Sequence, residues 1–136
     1  MQQAVKMQIT VPKNSVMLND DGDRSIICPR NYGIILGHYE NDYPLECICI
    51  DSSKSESFGD KIHVIPVGFF KCRDKDTNEM STIFLVMKSS AYIDIEANYM
   101  SQSTIEHFLS KLYIVGAKTA NGQSAHTVLK FFKEGK

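Results

Sequence analysis

Asn41-Asp42-Tyr43-Pro44-Leu45-Glu46-Cys47-Ile48-Cys49-Ile50 sets a turn and a strand back to back. Its first half crowds carboxylate, amide and phenol around one proline, which is turn chemistry. Its second half brings leucine, cysteine and isoleucine together in a β-forming run, the pattern of a strand entering a core. A polar turn that feeds a buried strand places oxygen ligands at the mouth of a fold and anchors them there. Such ligands suit a hard cation such as Mg²⁺, or a phosphate site. A solvated hairpin turn has the same composition, so the flanking stretches have to be read with it.

Upstream, Val5, Met7, Ile9 and Val11 alternate with Lys6, Gln8 and Thr10, and a half-buried strand opens the chain. Pro12 breaks it, Val16-Met17-Leu18 resumes it, and Asn19-Asp20-Asp21-Gly22-Asp23 is a turn with Asp-Gly inside. Those aspartates lack the twelve-residue ligand pattern of a calcium loop. Ser25 to Cys28 and Gly33 to Gly37 read as brief strands, and Asp51 to Ser57 as a serine-rich surface loop without chemistry of its own. Downstream, Ile62 to Lys71 is a strand in which Pro66 demands an edge or a bulge. Arg73 to Ser81 is a charged turn, and the apolar run from Thr82 to Met87 a central strand.

The last third changes period. Ser103-Thr104-Ile105-Glu106 has the form of a capping box, and Ile105, Phe108, Leu109 and Leu112 recur at helical spacing behind it. Ile114-Val115 offers a last short strand. Asn121-Gly122 marks a turn, and Ala125, Val128, Leu129 and Phe132 predict a C-terminal helix ended by Gly135. Short strands followed by two late helices predict a closed or nearly closed β-barrel with helices on one side.

Composition bounds the function. At 136 residues and 43% apolar, the chain supports a core of one domain, spanning 1–136, with no linker or repeat to divide it. A net charge of −1 provides no basic field for nucleic acid. The N-terminus has no apolar signal core and no run approaches membrane length, so the expectation is a soluble, cytoplasmic protein without a membrane partner. The four cysteines, Cys28, Cys47, Cys49 and Cys72, lack paired C-x-x-C spacing and are expected reduced and buried. His38, His63, His107 and His126 share no metal-ligand spacing.

Three stretches stand in a telling order: Pro29-Arg30-Asn31-Tyr32-Gly33, then the acidic turn at Asn41 to Glu46, then Phe58-Gly59-Asp60-Lys61-Ile62 running on to Pro66-Val67-Gly68. That order, P-x-N-Y-G, an acid-rich turn, F-x-G-x-x-I and P-x-G, resembles the soluble, family I inorganic pyrophosphatases along nearly the whole chain. The resemblance implies an α+β, mainly β fold: a five-stranded, OB-like closed β-barrel with two flanking C-terminal helices. It also implies a homo-oligomer, Mg²⁺ or Mn²⁺ as cofactor, and diphosphate or another small phosphate compound as ligand.

Diphosphate hydrolysis needs metal ions to neutralise the anion and activate water, carboxylates to hold those ions, and cations to clamp the leaving phosphate. In the family, a D-x-D-P-x-D turn supplies much of this; the resemblance puts Asn41, Tyr43 and Glu46 at its aspartates. Tyr43 takes the place of the base, and an unperturbed phenol titrates at about 10. Asp42, one residue away, is the group left to take that role. Asp74 matches the next family aspartate, and Glu79 falls where another belongs. Asn41, Glu46, Asp74 and Glu79 are therefore the expected metal ligands. Tyr32, Arg24 and Tyr113 are the expected phosphate contacts; the resemblance puts Leu112 and Tyr113, in that order, at a family tyrosine–lysine pair, and Ser81 where another lysine belongs. Losing a positioned base costs about 10²–10⁴-fold in rate, and losing one electrostatic stabiliser about 10²–10³-fold. The expectation is a pyrophosphatase-like protein with strongly reduced or lost activity; the alternative is a non-catalytic module binding a phosphate metabolite or a protein.

Overall fold

The structure, a computed structural model, describes residues 4–18, 25–51, 56–75, 77–88, 101–111, 113–115 and 122–132. The alternation read at the start of the chain becomes strand β1, Val5–Val11, with Met7 and Ile9 fully buried. Two short strands follow, β2 (Val16–Leu18) and β3 (Ser25–Ile27), paired with each other and separate from the main sheet. The turn Asn19 to Asp23 between them lies outside the described residues. Strand β4 runs from Tyr32 to Glu40, longer than the expected Gly33 to Gly37. Its extra length passes an irregularity between Ile35 and Tyr39, where Gly37 takes a φ of 84° that suits glycine.

The decisive stretch becomes the β4–β5 hairpin. Asn41 and Asp42 form its two-residue turn, with φ of 53° and 68°, and β5 spans Tyr43–Cys49. Positive φ at both central positions gives the turn a twist that matches the flanking strands. Strand β6 is long, Lys61–Asp74, and its register shifts between Pro66 and Gly68, the bulge that Pro66 demanded. Strand β7, Met80–Lys88, pairs antiparallel with β6 and parallel with β5; Thr82 to Met87 are buried throughout, as a central strand requires.

These pairings close a circuit. The order β1–β4–β5–β7–β6 returns to β1, because Met7 lies opposite Ile35 on one side and Ile62 on the other. The result is a closed five-stranded, OB-like barrel, as the family resemblance implies. A further short strand, β8 (Tyr113–Val115), adds to the outer side of β6. Helix α1, Gln102–Ser110, contributes Ile105, Phe108 and Leu109 to one buried cluster with Phe70, Ile83 and Tyr32. Helix α2, Gly122–Leu129, contributes Ala125 and Leu129 to a second, with Phe84, Ile35 and Leu45. Burying side chains of this size stabilises by about 1.5–3 kcal/mol each.

Three local expectations are corrected. The cap of α1 is Ser101, which has an extended backbone and whose Oγ accepts the Thr104 N–H at 3.2 Å; the box at Ser103 to Glu106 lies inside the helix. Helix α2 ends at Leu129, and Phe132 folds back in a turn against Phe84 while Phe131 is exposed. Gly135 lies outside the described residues, as does Leu112. Asp51 is no surface residue: it is buried, and its carboxylate accepts the Cys49 thiol at 3.0 Å. All four cysteines are free and buried.

Candidate functional site

Strands β5 and β7 run parallel with Glu46 opposite Ile83, so the β4–β5 turn and the start of β7 come to the same end of the barrel. A cavity of about 140 Å³ opens between them. Its lining includes Glu40, Asn41, Tyr43, Glu46, Glu79, Ser81 and Thr82. Of the expected metal ligands, Asn41, Glu46 and Glu79 line this cavity and Asp74 does not. Of the expected catalytic pair, Tyr43 lines it, 70% exposed, and Asp42 stays on the turn outside the lining. Arg24 lies outside the described residues.

Glu46 is the centre of the site's bonding. Strand alternation turns it to the same face as Ile48, toward α1, and there both expected phosphate-contacting tyrosines meet it. The Tyr32 hydroxyl donates to Glu46 Oε1 at 2.5 Å, and the Tyr113 hydroxyl donates to the same oxygen at 3.2 Å. Hydrogen bonds to a charged group contribute about 1.5–3 kcal/mol each. Burial, reinforced by the negative charge of Glu46, pushes both phenols above their ordinary titration range, so they remain donors. Tyr32 is fixed further by an edge-on contact with Phe108, ring centres 6.3 Å apart.

Glu40 is the cavity residue that the sequence reading missed. Its carboxylate accepts both the N–H and the hydroxyl of Thr82, at 2.7 and 3.1 Å. The Lys71 ammonium donates to the Thr82 hydroxyl at 2.9 Å and rests over the Phe132 ring, 5.5 Å from its centre. The available signal was position: Glu40 directly precedes the turn, and at the end of β4 it faces across to β7. Asp74 stands at a turn. At the end of β6 its Oδ1 accepts the Thr77 N–H at 2.9 Å, and its carbonyl accepts the Asn78 N–H at 3.0 Å, closing the turn into β7.

A divalent metal does not fit this donor set well. Hard cations take several oxygens at once, yet Glu46 Oε1 carries two phenols, Glu40 is spanned by Thr82, and Asp74 caps a turn away from the cavity. Among the described residues, no group of three or more His, Cys, Asp or Glu side chains is arranged to hold a metal ion.

Elsewhere, the motif residue Asn31 is buried and structural. Its Oδ1 accepts the N–H of Lys13 at 2.9 Å and of Glu56 at 3.1 Å, tying two loops to the start of β4. The Glu56 carboxylate pairs with Lys88 at 2.8 Å. No described helix is long and apolar enough to cross a membrane.

A closed OB-like barrel with a polar cavity beside its parallel strand pair defines a class of architecture, and solved structures show which members it resembles. An inorganic pyrophosphatase from Coxiella burnetii superposes with a TM-score of 0.71 at 16% identity, over 93% of this chain and 91% of that one. An inorganic phosphatase from Anaplasma phagocytophilum gives 0.70 at 21% identity, over 95% and 91%. The inorganic pyrophosphatase of Thermus thermophilus gives 0.61 at 19%, over 93% and 87%. The chain has the fold of the inorganic pyrophosphatases. No protein-family model and no curated protein sequence matches it.

Proposed function

We propose that this chain is a pyrophosphatase-fold protein, a cytoplasmic homo-oligomer, in which hydrolysis of Mg-diphosphate is strongly reduced or lost. The observation that carries this reading is the lining of the cavity: glutamates at 40, 46 and 79, a phenol, hydroxyls, and, among the described residues, no Lys, Arg or His. A diphosphate anion entering such a cavity meets negative charge, with no cationic side chain among the described lining residues to offset it. Lys71, the cation bonded into the Glu40–Thr82 pair, is turned to Thr82 and Phe132. Tyr43 supplies a phenol where hydrolysis calls for a carboxylate base.

Phosphate release from Mg-diphosphate tests the reading. Combining a lost base with a lost clamp, the expected rate lies about 10⁴-fold or more below that of an active pyrophosphatase. Tyr43→Asp and Ser81→Lys each restore little, and together they raise the rate more than the product of the two, because base and clamp act as a unit. Turnover by the unmodified protein at the level of active pyrophosphatases overturns the proposal.

A further inference from the structure

We propose that Tyr32 and Tyr113 disfavour divalent cations in the cavity by occupying Glu46 Oε1 themselves. The inference deepens the reading above and rests on it. A carboxylate oxygen has room for about two hydrogen-bond donors, and Glu46 Oε1 has two, from phenols on different elements. Tyr32 comes from β4 and is 4% exposed; Tyr113 comes from β8 on the far side of β6. Each hydroxyl therefore stands on a backbone that the sheet fixes, and neither swings aside without breaking packing against α1. A cation taking both Glu46 oxygens has to displace two protons that already do its electrostatic work.

The neighbouring carboxylates follow the same rule. Glu40 is engaged by Thr82 through both oxygens, and Asp74 by the Thr77 N–H. Glu79 lines the cavity from the other side as an exposed residue, and one carboxylate is a poor site for an ion that wants six or more oxygens. The phenol pair is thus a specificity device: it satisfies the carboxylate that a hard cation would otherwise recruit.

Manganese is the probe, titrated into the substrate-free protein and followed by calorimetry and by the paramagnetic resonance of free Mn²⁺. The expected result is no saturable binding by the unmodified protein. Tyr32→Phe combined with Tyr113→Phe keeps both rings, frees Glu46 Oε1 of both donors, and turns the absence of saturable binding into saturable binding. Glu46→Gln in that background removes the gain. Tyr113→Phe alone, on the edge strand, gives a smaller gain and serves if the double variant does not fold. Saturable binding by the unmodified protein that Glu46→Gln weakens overturns the inference, as does an affinity indifferent to both phenylalanine changes. The two readings fail separately. Manganese binding without phosphate release defeats this one and leaves the loss of hydrolysis standing; rapid phosphate release by a protein that binds no Mn²⁺ when free does the reverse.

Discussion

Gly33 shows what a single residue decides. A Cβ built on it would lie 1.9 Å from the Gln8 carbonyl oxygen and 3.1 Å from the Ile9 Cα, both backbone of β1. Neither neighbour is the yielding end of a side chain, so Gly33→Ala forces β1 and β4 apart where Ile9 and Gly33 are in register. The expected loss is on the order of 4 kcal/mol or more, the range reserved for core clashes and comparable disruptions. A thermal melt checks it: a midpoint within a few degrees of the unmodified protein would refute the close approach. Proximity to Pro29, Asn31 and Tyr32 marked Gly33 in the sequence, but only pairing revealed that a neighbouring strand, and not a turn, excludes a side chain. Tyr32 divides the same way. Its motif singled it out in the sequence, but only the fold reveals that its hydroxyl meets Glu46, fourteen positions along the chain.

At the scale of elements, legibility followed period. Strand β1, the apolar half of β5, the Pro66 bulge and the central character of β7 could all be read because alternation and proline geometry are local properties. Caps are local too, yet the sequence pattern points to the box at Ser103 to Glu106. The structure assigns the cap to Ser101, with φ −73° and ψ 157° and its Oγ 3.2 Å from the Thr104 N–H. Ser101→Ala is expected to destabilise the protein by about 1 kcal/mol, while Ser103→Ala, at an exposed position inside the helix, changes little. Denaturant midpoints of the two variants measured side by side test this. Equal shifts, or a larger one at Ser103, would return the cap to the later serine. Glu40 and Asp51 escaped sequence reading for the opposite reason: each acts through a partner in another element, Thr82 in one case and the Lys88 N–H in the other. No periodicity announces such a pair.

The whole molecule carries a shared alkaline liability. Every cysteine is buried, and burial pushes Cys28 from an ordinary value of 9.0 up to about 11 and Cys72 up to about 12. Cys47 and Cys49 are raised as well, chiefly by burial, with the charges of neighbouring groups adding to it. Tyr32 and Tyr113 are raised from 10.0 for the same reason. Each of these groups holds its proton in the folded chain at a pH where the unfolded chain has released it. Unfolding therefore releases protons above pH 9, and stability falls as pH rises; below the ordinary thiol value the contribution is fully present. A group that ionises only on unfolding removes about 1 kcal/mol over the first pH unit above its ordinary value, and approaches 1.4 kcal/mol per unit beyond it. Four thiols acting together would remove on the order of 4 kcal/mol between pH 9 and 10, against a domain stability of about 5–15 kcal/mol. Lys88, held above its usual value by its hydrogen bond to Glu56, works in the same direction. The melting temperature, followed under reducing conditions from pH 7 to 11, should hold steady to about pH 8.5 and then drop steeply as thiols, and next phenols, ionise in the unfolded chain. Replacing Cys28 by alanine should make that drop shallower by one proton's share even as it lowers the plateau. A melting temperature unchanged through pH 10.5 would mean that the thiols are reached by solvent in the folded protein, and the packing of both buried clusters would have to be redrawn.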